Sequence, residues 1–404
     1  MKPITEFSAI TVRRFGVSLF CTNLTHPLIE KEMDVNITII GSGVVGLAIA
    51  SRLSEKYDNV FVIERHKRFG QETSSRNSEV IHSGIYYQQG SLKANLCVKG
   101  KEMIYDLCRK EDIPHNNCGK LIVATCEEEL KALEALQEKA RNNNVHDLEW
   151  LDAGQVKKME PHVKAIRALF SPSTGIIDSH SLMKHFEKTS SINGVQFAYH
   201  SSVRNISKQN GSYEITLDDA DGNSFQFHSN MVINSAGLES STIAAMLGMN
   251  IEEYKMYFVK GEYFKINPPK NRLVHRLVYP VPGQKLVGLG IHSTVDLNGG
   301  LKLGPSAFYL DKNEYDYTID ETNSKKFYDS ARKFLPFLEL DDLSPDQAGI
   351  RPKIQAPGES PRDFVIKNET GRGFKNFINL IGIESPGLTC SMAIANYVEK
   401  LIEE

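Results

Sequence analysis

Residues 35–64, VNITIIGSGVVGLAIASRLSEKYDNVFVIE, constrain the fold more than any other stretch. The β-branched run Val35 to Ile40 predicts a strand. It meets Gly41-Ser42-Gly43-Val44-Val45-Gly46, and then Leu47, Ala50, Leu53 and Tyr57 recur at helical spacing. A second apolar run, Val60 to Ile63, ends on Glu64. Gly41 permits the tight turn, Gly43 lets backbone amides approach a pyrophosphate, and Gly46 lets the helix pack on the strand. The open N–H groups and partial positive charge at the helix N-terminus suit phosphates. Glu64, eighteen residues past Gly46, is placed for an adenosine ribose. A lone GxGxxG is a common turn, but strand, turn, helix, strand and terminal acid in register predict a dinucleotide-binding βαβ unit.

A chain of 404 residues can bury a large core, and two domains are expected. Its net charge of −3 argues against a general affinity for nucleic acid. The cysteines Cys21, Cys97, Cys108, Cys118, Cys126 and Cys390 form no CxxC pair. They predict buried thiols in a reducing compartment, with no disulfide scaffold and no metal site. No stretch approaches the roughly 18 apolar residues of a spanning helix; peripheral membrane contact stays open. Residues 1–33 precede the nucleotide unit, and Lys2, Arg13 and Arg14 stand there against Glu6. Residues 1–32 read as a mitochondrial-type presequence, a disordered extension, or an upstream start with Met33 as the true first residue. A cytoplasmic location is expected, with a mitochondrial one as the alternative if residues 1–32 are a presequence.

Beyond Glu64 and Arg65, the polar run Ser74-Ser75-Arg76-Asn77-Ser78 suits a loop that hydrogen-bonds phosphates and sugar, and His82 follows directly. Lys120–Thr125 reads as a strand and Glu127–Asn142 as a helix, both scaffold. Val195–Asn205, which holds Val203, alternates with later segments like a small antiparallel sheet. Met231 to Gly237 repeats the opening logic, a strand ending in small residues, here Ala236 and Gly237, before a helix. Segments 257–266, 272–280, 287–296 and 301–304 alternate as strands of a β roof carrying Tyr263, Tyr279 and His292. A helix is expected over 321–334. The chain closes with a strand from Phe377, a turn at Gly382, and a helix whose first amides lie around Ser385, Gly387 and Leu388.

The first glycine unit alone does not choose between NAD and FAD. A nucleotide site drawn from the start, middle and end of the chain suits an extended, buried FAD, and the single GxGxxG makes a separate nicotinamide domain unexpected. On the segments GSGVVGLAIA, SSRNSEVIHSGIYY, SLKANLCVKG, CGKLIVA, SPSTGIID, NSAGL, KGEYF, YPVP, GLGIH, AGIRPKI and GIESPGL, the chain resembles the FAD-dependent D-amino-acid-oxidase-like superfamily, and within it the L-2-hydroxyglutarate dehydrogenase/oxidase branch. The resemblance spans about residues 34–402 and implies an α/β (α+β) fold: a Rossmann-like FAD-binding domain beside an antiparallel β-sheet substrate domain. The FAD-binding domain is then expected from 34–117, 171–248 and 347–404, and the substrate domain from 118–170 and 249–346.

The resemblance also implies that a hydride passes from C2 of an L-2-hydroxy acid to flavin N5, with electrons going on to oxygen, a quinone or an electron-transfer protein. Such chemistry asks for a base, an anchored carboxylate and support for the reduced flavin. His82 is the expected base, with His292 competing and a covalent flavin–histidine bond a third option. Arg351 is the expected carboxylate anchor. Lys260, Lys353, Tyr279 and Arg76 are candidates for a second carboxylate. Cys390 reads as a structural thiol. Two other readings stand beside this one: an FAD-dependent amine or amino-acid oxidase (glycine, sarcosine or D-amino acid type), and a non-catalytic flavin-binding module.

Overall fold

The computed structural model describes residues 34–282, 290–312 and 314–404. Asp34–Ile40 lies inside an eight-stranded sheet, parallel to Val60–Ile63 on one side and to Ser224–Asn234 on the other. Gln196–Ala198 extends the parallel edge beyond Val60–Ile63. Ser224–Asn234 is long enough to serve three partners. Its first half closes an antiparallel meander with Ser212–Asp218 and Ser202–Gln209, and its last residues pair in parallel with Phe377–Ile381. The segments expected to alternate as a small antiparallel sheet form this meander, which Ser224–Asn234 joins to the nucleotide-end sheet.

The helix Val44–Leu53 is buried on most of its surface, which explains its Gly, Ala, Leu and Ile composition. It lies between the sheet and the helix Gly387–Glu403, which also packs on Leu92–Lys110. Leu47, Ile49, Leu53, Cys97, Ile104, Leu182, Ile394 and Val398 are fully or almost fully buried in this core. Each such side chain contributes about 1.5–3 kcal/mol.

The roof is a nine-stranded sheet. Its spine is Tyr257–Ile266, paired antiparallel along most of its length with Leu343–Lys353 in the register Val259↔Arg351, Gly261↔Gly349. Lys120–Ala124 runs parallel to Leu277–Pro280 and antiparallel to Arg167–Ser171, so the roof also takes strands from the first half of the chain. Of the segment expected as a strand over 287–296, Ser293–Val295 is one, and 287–289 lie outside the described residues. The helix expected over 321–334 is α-helical only at Ser324–Ala331. Cys97, Cys108 and Cys390 are buried as expected, but Cys118 is half-buried, and Cys126 is exposed where it opens the helical segment after it. Among the described residues no helix is long and apolar enough to cross a membrane.

The glycine turn has measurable consequences. Gly41 sits at φ +97°, and a Cβ on Gly46 would stand 2.0 Å from the Gly41 carbonyl oxygen. Gly46→Ala is therefore expected to cost at least about 1–3 kcal/mol, read as a lower urea midpoint. Gly371→Ala, where a Cβ meets nothing within 4 Å, is the control and should leave the midpoint in place.

Candidate active site

A cavity of about 1570 Å³ runs along the carboxyl ends of Asp34–Ile40 and its neighbours and under the roof sheet, where open α/β sheets bind their ligands. At the nucleotide end, Gly43 caps the first helix without a side-chain hydrogen bond. Val44 N–H donates to Ser74 Oγ (3.0 Å), while Gly43, Val44, Val45 and Ser74 face the cavity. Glu64 is buried; its Oε2 accepts from Ser42 N–H and Ser42 Oγ–H, and its Oε1 accepts from the His66 amide, each at 2.9 Å. A carboxylate has about four acceptor sites, so one remains for a ribose hydroxyl.

The polar loop after Glu72 is stitched to the roof. Thr73 Oγ donates to Ile350 O (2.9 Å), Gln347 Nε2 donates to Asn77 O (2.9 Å), and a Cβ on Gly349 would lie 2.1 Å from Arg76 O. Arg76, Asn77 and Ser78 line the cavity, and so do Gly237, Ser385, Gly387 and Leu388. The last three lie at the start of the helix Gly387–Glu403, which has no side-chain cap; the Gly387 amide donates to Glu384 O, and those of Leu388 and Thr389 are available to an electron-rich ligand edge.

The lining does not include Gly41, Ser42, Gly46, Glu64, Ser75, Ala236 or Gly382. The first three and Glu64 shape the turn behind it, and Gly382, at φ +71°, packs against Ile354. Arg65 is turned into a web, with Glu72 at 3.1 Å, Glu239 at 3.3 Å and the Tyr315 ring beneath it. Val203 packs with the Ile40, Ile63 and Leu238 cluster.

At the reacting end the structure brings together His82, His292, Tyr279, Arg351 and Lys353. His82 follows the short strand Val80–Ile81, and its amide donates to Thr389 Oγ (3.0 Å). Its Nε2 lies 3.3 Å from Ser385 Oγ, and its Nδ1 is buried without a partner. Burial, then the nearby Lys120 and His292 charges, push the imidazole down to about 3. His292 stacks on Tyr279 with ring centroids 3.7 Å apart. Burial pulls it down to about 3 as well, against the contact of Nδ1 with Gly290 O (2.9 Å). As a neutral ring it donates Nδ1–H there and keeps the Nε2 lone pair free. Both rings are neutral at physiological pH.

The Arg351 guanidinium makes no hydrogen bond or ion pair with the described residues, which leaves it open to a ligand carboxylate. Lys353 is otherwise engaged: it shares Glu384 Oε1 (3.0 Å) with Lys93 (2.9 Å). Burial pushes the Glu384 carboxyl up, but the two ammonium groups outweigh it and hold it below its ordinary value. Lys260 does not reach the cavity; it pairs with Asp316 Oδ2 at 2.7 Å. Arg76 stacks on the Tyr317 ring (3.9 Å). Cys390 is fully buried, its thiol pushed well up by burial, as suits a structural role.

Sequence reasoning passed over Lys93 and Glu384, whose pairing joins positions 291 residues apart, and Tyr86 and Lys120. The last left a signal: a lysine opening the otherwise apolar strand Lys120–Ala124, every residue of which is buried.

The cavity fits FAD. It is long, it meets two uncapped helix starts, a buried carboxylate at its nucleotide end has one acceptor site to spare, and polar groups collect at its far end. Comparison with known proteins agrees. A family profile described as FAD dependent oxidoreductase matches residues 36–401. The L-2-hydroxyglutarate dehydrogenase, mitochondrial, of Arabidopsis thaliana is 37% identical, over 92% of this chain and 83% of its own length. The protein of the same name from Caenorhabditis elegans is 32% identical, over 91% and 94%. A solved structure of L-α-glycerophosphate oxidase from Mycoplasma pneumoniae, dithionite-reduced with FAD bound, superposes with a TM-score of 0.81 at 26% identity, covering 92% of this chain and 95% of that one.

The buried His292 and half-buried His82 imidazoles make stability depend on pH. In the unfolded chain they bind a proton below about pH 6.5, whereas in the fold they stay neutral down to about pH 3. The unfolded state therefore holds more protons between these values, and stability falls as pH drops below 6.5, by up to about 1.4 kcal/mol per unit for each histidine. Melting temperature should decline from pH 7 to pH 5, and His292→Asn should flatten that decline; an unchanged slope in the variant would contradict the assignment.

Proposed function

We infer that this chain, which belongs to the DAO family of FAD-dependent oxidoreductases, oxidises L-2-hydroxyglutarate to 2-oxoglutarate. One observation carries the reading: an unpaired guanidinium, Arg351, lines the same cavity as two neutral imidazoles, His82 and His292. Relatives named for the L-2-hydroxyglutarate reaction cover most of the chain. A non-catalytic flavin module would have no use for this matched set.

Bound FAD supplies the two-electron acceptor for the C2–H bond. Arg351 grips the C1 carboxylate, bidentate geometry fixing the plane of the substrate. His82 accepts the hydroxyl proton through a ring nitrogen, its backbone held by Thr389 and Cys97. His292, whose Nε2 lone pair is left over from the Nδ1–H bond to Gly290 O, competes with His82 for that one proton. The Leu388 and Thr389 amides at the start of the Gly387–Glu403 helix would hold the electron-rich edge of the flavin and support its negative charge. Gly43 to Val45, Ser74, Asn77 and Gly237 hold the nucleotide portion, and Glu64 the ribose. The electrons then leave for an acceptor, whose class is read from whether oxygen, a quinone or an electron-transfer protein restores the oxidised spectrum.

The relatives named as mitochondrial favour the import alternative over the cytoplasmic expectation, which has no support among them. Residues 1–32, on which that alternative turns, lie outside the described residues.

Under anaerobic conditions L-2-hydroxyglutarate should bleach the bound flavin, while glycine, sarcosine and D-alanine should not; the reverse pattern would move the chain to the amine oxidases. Arg351→Met, which leaves a bound carboxylate without its cationic partner, should lower kcat/KM by a factor of about 10²–10⁴, the equivalent of about 3–5 kcal/mol. His82→Ala should slow flavin reduction about 10²–10⁴-fold. Full activity in that variant would remove His82 as the base.

A further inference from the structure

The roof side of the cavity holds polar atoms that the chemistry above does not use. Tyr86 Oη, Lys120 Nζ and Tyr279 Oη are all buried with no hydrogen-bond partner among the described residues. The Lys120 ammonium lies 4.6 Å from the Tyr86 ring centroid and 4.9 Å from that of Tyr279. Both tyrosines line the cavity, and Lys120 stands behind them with 0% exposure. Ring faces repay part of the cost of burying a cation, but two phenols and an ammonium are three donors with nothing to accept from them. A set like this lacks an anion.

The other buried lysines already have theirs, Lys260 in Asp316 and Lys353 in Glu384. Arg351 is committed to the C1 carboxylate. His292 feels the charges of both Arg351 and Lys120, as the C2 hydroxyl of a five-carbon diacid lies within reach of both its carboxylates.

We propose that Tyr86, Tyr279 and Lys120 form the subsite for the second carboxylate of the substrate, the two hydroxyls donating to it and the ammonium behind them balancing its charge. The inference rests on the dicarboxylate reading above and makes this trio the source of preference for a diacid over a monoacid.

The subsite has a protonic signature. Without an anion, burial pulls the Lys120 amine down to about 7, and the Cys97 thiol is the one acid acting on it. A carboxylate favours the ammonium, so a diacid that binds above pH 7 draws a proton onto Nζ. The titratable neighbours do not compete: His82 and His292 are held neutral, and burial lifts the Tyr86 and Tyr279 phenols far up.

The test uses the FAD-loaded full chain and two non-reacting acids, glutarate and butyrate, titrated by calorimetry at pH 8 in buffers of different ionisation enthalpy. Glutarate should take up nearly one proton per site and butyrate none. Lys120→Met should abolish the uptake and lower the preference for glutarate over butyrate about 100-fold. Tyr86→Phe and Tyr279→Phe should each lower it about 10-fold, and they decide the matter if Lys120→Met does not load FAD. Glutarate binding without proton uptake in the wild type, or a glutarate-to-butyrate ratio that none of the variants moves, would overturn the subsite. Anaerobic bleaching by L-2-hydroxyglutarate is read separately. Bleaching with an unmoved ratio sinks the trio and keeps the function; no bleaching sinks both.

Discussion

The closest dependence in the molecule is between the polar loop over residues 73–79 and the strand Leu343–Lys353. Gly349 lets the Arg76 carbonyl approach to where any side chain would collide, and Thr73 and Gln347 bond across the same seam. Residues 349 and 351 share a face of the strand. The contact that seats the cofactor loop on the roof therefore also aims Arg351. A strand slip of one residue would turn the guanidinium to the opposite face. The register Gly261↔Gly349 sets two glycines opposite one another, so neither strand carries a side chain at that one point of the pairing.

Electrostatics around the cavity follow from burial more than from pairing. Two histidines are forced neutral and one amine is drawn toward neutrality, while the buried Glu384 is shared by two lysines. The pocket is thus rich in lone pairs and in cations awaiting an anion. That balance suits an anionic substrate which must give up a proton. It suits a cationic ammonium substrate poorly, which separates the hydroxy-acid and amine readings on physical grounds.

The glycine unit was legible because each of its parts answers a local demand, and those demands show again in the structure as a positive φ at Gly41 and near contact at Gly46. The same held for the final strand and helix, where a glycine turn precedes an uncapped helix start. What stayed hidden depends on pairs far apart in sequence. Nothing local tells that Lys260 meets Asp316 and turns from the cavity, or that Lys93 and Lys353 meet on Glu384. Lys120 was read as scaffold because its strand is apolar, although an isolated ammonium in such a strand is itself the anomaly. The small sheet expected around Val203 merged with the main one because a single strand, Ser224–Asn234, outruns any one partner.

The last strand, Phe377–Ile381, and the helix Gly387–Glu403 finish both the first sheet and the wall that faces the flavin end of the cavity. Arg52 and Lys56 clamp that helix through Glu399 (2.9 and 2.8 Å). The cradle is therefore whole only where the glycine turn near residue 41 and a segment more than 300 residues beyond it have folded onto each other, so a lesion in either distant piece opens the same cavity.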